Sequence, residues 1–425
     1  MIKIYNTESI SVDDILSRDI KKSGVEDIVA GIIANVKENG DKALREYSLK
    51  FDKAELESLE VSDAEIEEAF DAVDEKFIGI LKKARDNIYN FHKHQLRNNF
   101  VINEGDGVIL GQKVIPIEKV GIYVPGGTAP LPSTVLMTAV PAMIAGVSEI
   151  VMTTPPNSEG KVNPVILAAA KIAGVTRIFK VGGAQAIAAL AYSTESVPAV
   201  DKIVGPGNAF VAEAKKQVFG KVAIDMIAGP SDILVVADGT NDARVIAADM
   251  LSQAEHDKLA TAVLVTDSEE LAKNVSDEIE RQLSVLPREE IARASIDNNG
   301  KIIIAPDIGA AIEIANKIAP EHLEICVDNP FDYLNQVKNA GSVFLGKNCP
   351  EPLGDYFAGP NHTLPTNGTA RFSSPLSVDD FVKKTAFTYY TADALNKVCD
   401  DIAYFAEQEK LSAHARSVTA RKNDQ

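Results

Sequence analysis

The chain has six histidines in 425 residues, and several stand beside acids or amides. In "LSQAEHD" (251–257), Gln253 and His256 lie three apart, which puts both side chains on one face of a helix. Ile246, Met250 and Gln253 form one stripe, so the amide continues a buried line and needs a partner there. Spacing alone favours a hydrogen-bonded pair over a metal site, because glutamine is a rare zinc ligand. In "IAPEHLEI" (318–325), Glu321 and His322 are adjacent. Neighbouring strand residues point to opposite faces, so both reach one substrate only from an irregular approach to the strand. Pro320 provides that irregularity by pushing Ala319 out of the helical region. An acid and an imidazole there could supply general bases; the plain alternative is a helix-to-strand turn with exposed polar groups. "PLGDYFAGPNHTLPT" (352–366) places Asp355 and His362 in a loop stiffened by three prolines and set by two glycines. His92 and His94 are two apart and share no helix face, so they read as surface residues. In "EQEKLSAHARS", Glu409 is expected to end one helix and Ser412 to cap the next, with His414 in its first turn.

The elements that must hold these residues alternate. Helical spacing fills 25–52, with Gly40 a stop inside it, and 62–95, where Ser62 and Glu65 make a capping box. Residues 101–126 switch to strand-like segments with glycine turns. From about residue 120 strands and helices alternate: "EIVMTT", "RIFKVGG", "DKIVGPG", "DILVVAD", "TAVLVTD", "KIIIAP" and "HLEICVD" are separated by helical segments. That pattern predicts an α/β fold of two doubly wound, Rossmann-like domains with parallel sheets. The expected division is an N-terminal extension, 1–20; a first domain from 21–120 and 231–376; a second, 121–230; and a helical C-terminal extension, 377–425. In that extension "SVDDFVKK" is read as helix.

Three strand ends carry glycine: "VPGGTAPLPS", "VGGAQA" and "VGPGNAF". Ligands of open α/β sheets bind at such ends, and a helix N-terminus behind them favours anions. The third loop comes nearest to a dinucleotide fingerprint, but Phe210 stands where the third glycine belongs, and no acidic residue is clearly placed about 20 residues on. Tight βα turns explain the loops equally well. No GxxxxGK[ST] is present.

A net charge of −18 disfavours nucleic acid or an anionic membrane surface as partner. Cys326, Cys349 and Cys399 form no CxxC pair, and an odd count suits a reducing, cytoplasmic setting. The start of the chain shows no signal-peptide pattern. The most apolar run, 134–147, is interrupted by Pro141 and falls short of the roughly 20 residues of a span. Cys326 lies in an apolar strand and reads as core rather than as a nucleophile.

Taken together and in order, "VGPGNAFVAEAKKQVFG", "IDMIAGPSDILVVAD", "LSQAEHD", "APEHLEI", "GDYFAGPNHTLPT" and "ARFSSPLSV" resemble the histidinol dehydrogenase family across nearly the whole chain. The resemblance implies four-electron oxidation of L-histidinol to L-histidine through the aldehyde, the end of histidine biosynthesis. It implies two NAD⁺, one water and one zinc ion per subunit. It makes Gln253, His256, Asp355 and His414 the zinc ligands and Glu321 and His322 the acid–base pair. Substrate contacts would come from Ser231, His362 and Glu409 together with Gln253, His256, His322, Asp355 and His414. Tyr123, Gln185 and Asn208 would line the NAD site. A homodimer is implied, with Glu409 and His414 reaching the partner's active site. The competing expectations are a related zinc/NAD dehydrogenase of another small amino or sulfo alcohol, a zinc-binding protein without activity, and a phosphate-binding transferase built on the "GPGN" loop.

Overall fold

The computed structural model describes residues 1–16, 24–126 and 130–422. Two compact units emerge: residues 1–95 with 118–381, and residues 96–117 with 382–425. The 20/21 boundary and residues 127–129 of the "VPGG" loop lie outside the described residues.

The first unit holds two parallel sheets. One has six strands in the order Lys3–Asn6, Lys301–Ile304, Thr261–Thr266, Asp232–Ala237, His322–Cys326, Ser342–Leu345. Its central strands are buried on both faces, which is why they read as unbroken apolar runs. Alternate residues feed two cores. Ile233, Val235, Leu264 and Ile302 pack with Ile246, Val275 and Ile296 of the helices Ala243–Ala254, Glu269–Leu283 and Glu289–Asn299. Leu234, Val236, Val265 and Leu323 pack with Ile312 and Ala315 of the helix Ile308–Ile318. The strand Lys3–Asn6 pairs in register with Lys301–Ile304, so the start of the chain is an edge strand rather than an appended segment.

The second sheet runs Arg177–Lys180, Glu149–Thr154, Lys119–Tyr123, Lys202–Val204, Ala223–Ile224. The chain builds outward from Lys119–Tyr123 on one side, then returns to its other side with Lys202–Val204, so the strand order reverses between them. The N-terminal helices cover this sheet. Val29, Ile33 and Leu44 share a core with Val151, Phe179 and Ile187, which corrects the expected grouping of 21–120 with the other sheet. The apolar stripe was visible, but which sheet it covers is a long-range choice that periodicity does not encode. Ser62 and Glu65 form the expected reciprocal capping box. Gly40 breaks the helix Glu26–Tyr47 with φ +50°, where Glu195 reaches in to accept from the Asp41 N–H at 2.7 Å.

The buried helix Pro132–Ala145 continues through Pro141. Proline has no N–H, so the carbonyl four residues back, on Met137, loses its helical donor. The Asn361 side-chain amide supplies one at 2.7 Å. Among the described residues no helix is long and apolar enough to cross a membrane.

In the second unit, Val382–Tyr390, Val108–Pro116 and Phe100–Gly105 form an antiparallel sheet. Asp106 and Gly107, both at positive φ, turn the hairpin. Its helices are Ala392–Gln408 and Ser412–Thr419. The C-terminal extension is therefore not all helical. "SVDDFVKK" gives a single 3₁₀ turn, Val378–Phe381, and then the strand. "VKKTAFTYY" is rich in β-branched and aromatic residues, a signal that outweighed the helical spacing.

Candidate active site

The Asp232–Ala237 and His322–Cys326 strands lie side by side, with His322 level with Ile233. The helix before His322 stops at Ala319, which takes the left-handed conformation at φ +54° ahead of Pro320. Glu321 therefore sits outside the ladder and turns to the same side as His322. The Glu321 N–H donates to Asp232 Oδ1 at 2.9 Å, and the Asp232 N–H donates to Glu321 Oε2 at 3.1 Å. The Ser231 hydroxyl also bonds the Glu321 carboxylate. His322 Nδ1 lies 3.1 Å from the Asp232 carbonyl oxygen. A carbonyl only accepts, so Nδ1 carries the hydrogen and Nε2 the lone pair. Nε2 is buried with no hydrogen-bond partner among the described residues.

Around that nitrogen the loops bring together the other expected residues of this unit. His322 feels the charges of Asp355, His256 and His362, and His362 Nδ1 stands 3.6 Å from Asp355 Oδ1. Gln253, at the end of its helix, is fully buried; its Nε2 lies 3.5 Å from His256 Nδ1, while its Oε1 has no partner among the described residues. Asn361 positions the His362 loop from both sides, bonding Met137 as described and accepting from the Thr363 N–H at 2.9 Å. Burial lowers the His322 pKa to about 4 and also lowers that of His362, so both rings are neutral at physiological pH. Burial, with the charges of Asp232 and Asp355, pushes Glu321 well above the ordinary carboxylate range.

Three acids escaped the sequence reading. Glu324 is two residues beyond His322, on the same strand face, and hydrogen-bonds with Asp249, one helical turn before Gln253. Glu351, four residues before Asp355, places Oε1 3.9 Å from His322 Nε2 and bonds with Asp355. Burial, with repulsion from neighbouring acids, raises Glu324 to about 8 and Glu351 to about 9, and burial alone lifts Asp249 to about 6. An acid inside the apolar run "HLEIC" was the signal available for Glu324. Among the His, Cys, Asp and Glu side chains of the described residues, His322, Glu351 and Asp355 bring ligand atoms within 4.8 Å of one another. This trio shares only Asp355 with the ligand set implied by the resemblance. His92 also departs from expectation: it is buried, with Nδ1 2.7 Å from Gln95 Oε1. His94 is exposed. Cys326 is buried, and desolvation drives its thiol far up, which suits a core residue. Glu409 caps the helix Ala392–Gln408 and His414 lies in the first turn of Ser412–Thr419; both belong to the second unit and are exposed. The N-cap there is Leu411 rather than Ser412, whose hydroxyl bonds Glu407.

The residues expected to meet NAD gather at the carboxyl ends of the five-stranded sheet, beside its reversal of strand order, where ligands of such sheets bind. Tyr123 ends its strand; its buried hydroxyl accepts from the Gly183 N–H at 3.1 Å, and burial raises its pKa to about 12. Gln185 is buried one turn into the helix that Gly183 begins. Asn208 is exposed and caps the helix Ala209–Val218, accepting from the Phe210 and Val211 N–H groups at 3.1 and 3.2 Å. Gly205, at φ +114°, leaves no room for a Cβ against the Tyr123 carbonyl oxygen. It is fastened by a buried ion pair: Asp225 accepts from its N–H at 2.7 Å, Lys215 donates to its carbonyl at 3.0 Å, and the two side chains bond each other. Glu321 and His322, by contrast, stand at the amino ends of the other sheet.

Comparison with known proteins agrees across the whole chain. The family model described as "Histidinol dehydrogenase" matches residues 16–422. The chain is 59% identical over 390 residues to the histidinol dehydrogenase of Clostridium acetobutylicum, covering 92% of this chain and 90% of that one. It is 53% identical over 423 residues to that of Lactiplantibacillus plantarum, covering 99% of each. The crystal structure of the Elizabethkingia anophelis histidinol dehydrogenase superposes with a TM-score of 0.94 at 40% identity, over 99% of this chain and 98% of that one. The geometry and these likenesses agree: the chain is an oxidoreductase belonging to the histidinol dehydrogenase family.

Proposed function

We propose that the protein oxidises L-histidinol to L-histidine by way of the aldehyde, consuming two NAD⁺ and one water, in a zinc-dependent reaction in the cytoplasm. The observation that carries the reading is the pairing of Glu321 and His322 on Asp232, with an imidazole nitrogen that has no hydrogen-bond partner among the described residues and lies close to Glu351 and Asp355.

Gln253 Oε1, a buried acceptor without a partner among the described residues, is suited to a cation held with the His256 imidazole and the Asp355 carboxylate. With His414 from a second copy of the chain, those residues would hold zinc. Zinc would supply a Lewis acid that orients the imidazole and amine of the substrate and lowers the cost of charge. For the cofactor, the helix N-termini behind Gly183 and Asn208 suit a pyrophosphate.

The work of the chain's own residues follows from the tautomer. His322 holds its Nδ1 hydrogen against the Asp232 carbonyl, so Nε2 takes the alcohol proton as hydride leaves to NAD⁺. Glu321, oriented by Ser231 and the Asp232 N–H, activates water to attack the aldehyde, and His322 assists the second oxidation. His362, held by Asn361, contacts the substrate. Glu409 and His414 complete the site of the partner in a homodimer. Two buried unpaired thiols, Cys326 and Cys399, suit a reducing compartment.

The test is NADH formation from L-histidinol by protein reconstituted with zinc and by protein treated with a chelator. Two NADH per histidinol, lost with the chelator and restored by zinc, is the expected result. No turnover by zinc-loaded protein would overturn the reading.

A further inference from the structure

Asp52 closes a π-helical turn, Ser48–Asp52, that ends in the left-handed Lys53 at φ +61°. Such turns and left-handed residues carry strain and gather at functional positions. The Tyr47 and Phe51 rings, stacked 5.6 Å apart, brace it. Asp52 is half-buried; its Oδ2 is closed off from solvent, with no hydrogen-bond partner among the described residues. Its charge acts on the Tyr123 hydroxyl, the group that receives the Gly183 N–H at the start of the helix Gly183–Tyr192. A carboxylate oxygen with no donor among the described residues thus stands near Tyr123, whose strand ends at the reversal of strand order. Dinucleotide sites on such sheets use an acid to accept ribose hydroxyls, normally from the strand after the glycine loop. Here the acid after that strand, Asp225, is occupied by the Gly205 N–H and by Lys215.

We infer that Asp52, delivered from the N-terminal helices, accepts hydroxyl hydrogens from a ribose diol of the dinucleotide and so serves as a specificity-determining residue of the cofactor site. This rests on the cofactor reading above. The diol offers two O–H donors, whereas Asp52 Oδ2 has none among the described residues, and a carboxylate accepts both. Desolvation already lifts Asp52 to about 6, the condition of an acid waiting for donors. The same carboxylate would repel a phosphate in place of a hydroxyl, which disfavours NADP⁺ if the ribose is the adenosine one.

The experiment compares wild type, Asp52→Ala and Asp52→Asn, with NAD⁺ binding measured by calorimetry and steady-state kinetics run in parallel. Loss of hydrogen bonds to a charged group predicts binding weakened about 10- to 100-fold in Asp52→Ala and less in Asp52→Asn. KM for NAD⁺ should rise while KM for histidinol stays put, a split that general damage to the fold would not give. A second ligand, NAD⁺ lacking the adenosine 2′-hydroxyl, identifies the sugar. If wild type loses affinity for it and Asp52→Ala loses nothing further, the adenosine ribose is the partner. If wild type is indifferent to it while Asp52→Ala still weakens NAD⁺, the nicotinamide ribose is. NAD⁺ bound equally well by wild type and Asp52→Ala overturns the inference alone. Wild type that binds no NAD⁺ overturns the cofactor reading and the inference with it.

Discussion

Lys215→Met tests whether the buried ion pair builds the Gly205 loop. The two side chains are 2% and 1% exposed, so neither charge has recourse to water. Removing one partner of such a pair costs about 3–5 kcal/mol, because the other stays buried and uncompensated. Asp225 would keep two donors, the Gly205 N–H at 2.7 Å and the Met226 N–H at 2.6 Å, which places the expectation near the lower end, about 3 kcal/mol. The Gly205 carbonyl loses its Lys215 donor as well, so the loop loosens and KM for NAD⁺ rises. Stability is read by chemical denaturation followed by far-ultraviolet circular dichroism, since the chain has no tryptophan. Adding Asp225→Asn removes the orphaned charge while keeping an acceptor for Gly205, and should recover part of the loss. A Lys215→Met variant within about 1 kcal/mol of wild type, or a double variant less stable than the single, would refute the argument.

The other expectations concern single positions. Gly205→Ala forces a Cβ onto the Tyr123 carbonyl at a φ that disfavours any side chain, and should abolish NAD⁺ saturation or folding; activity at increasing NAD⁺ and a melting curve separate the two. Glu321→Gln should stop after the first oxidation, releasing one NADH per histidinol in a single-turnover assay; histidine formed at the full rate would remove Glu321 from the water step. His92 is buried and its pKa lies below the unfolded value of about 6.5, so the unfolded chain takes up the proton first. Stability therefore falls as pH drops through 6.5 toward the folded value, and His92→Gln should flatten that slope in pH-dependent denaturation. Asn361→Ala strands the Met137 carbonyl and frees the His362 loop; it should cost about 1–3 kcal/mol and raise KM for histidinol.

What the sequence disclosed was mostly local. The capping box of Ser62 and Glu65, the break at Gly40 and the approach to His322 through Pro320 each depend on neighbours within a few residues. The alternation of apolar runs and helices was likewise enough for two parallel sheets. The misreadings turn on partners far along the chain. His92 looked like a charged helix end, yet Gln95, which bonds it, also accepts from the Val378 N–H, nearly 300 positions away. Lys3–Asn6 becomes a strand only because Lys301–Ile304 offers an edge. Glu324, Asp249 and Glu351 are unremarked acids until the fold encloses them together. In the candidate site, spacing alone could not raise Gln253 and His256 above an ordinary helix end; only the ordered set of motifs drew them into a group with Asp355.

Pro141 and Asn361 leave a mark on how this chain can change through descent. Replacing the proline first restores the helix's own bond to Met137, and the asparagine is then needed only for its bond from the Thr363 N–H. Replacing the asparagine first leaves a buried carbonyl with no donor, a step that selection would purge. The two positions should therefore covary among relatives, and the history should run in one direction: non-proline at 141 before loss of asparagine at 361. An apparent flaw in a helix packed on one sheet thereby constrains which sequences can keep a histidine in place at the other.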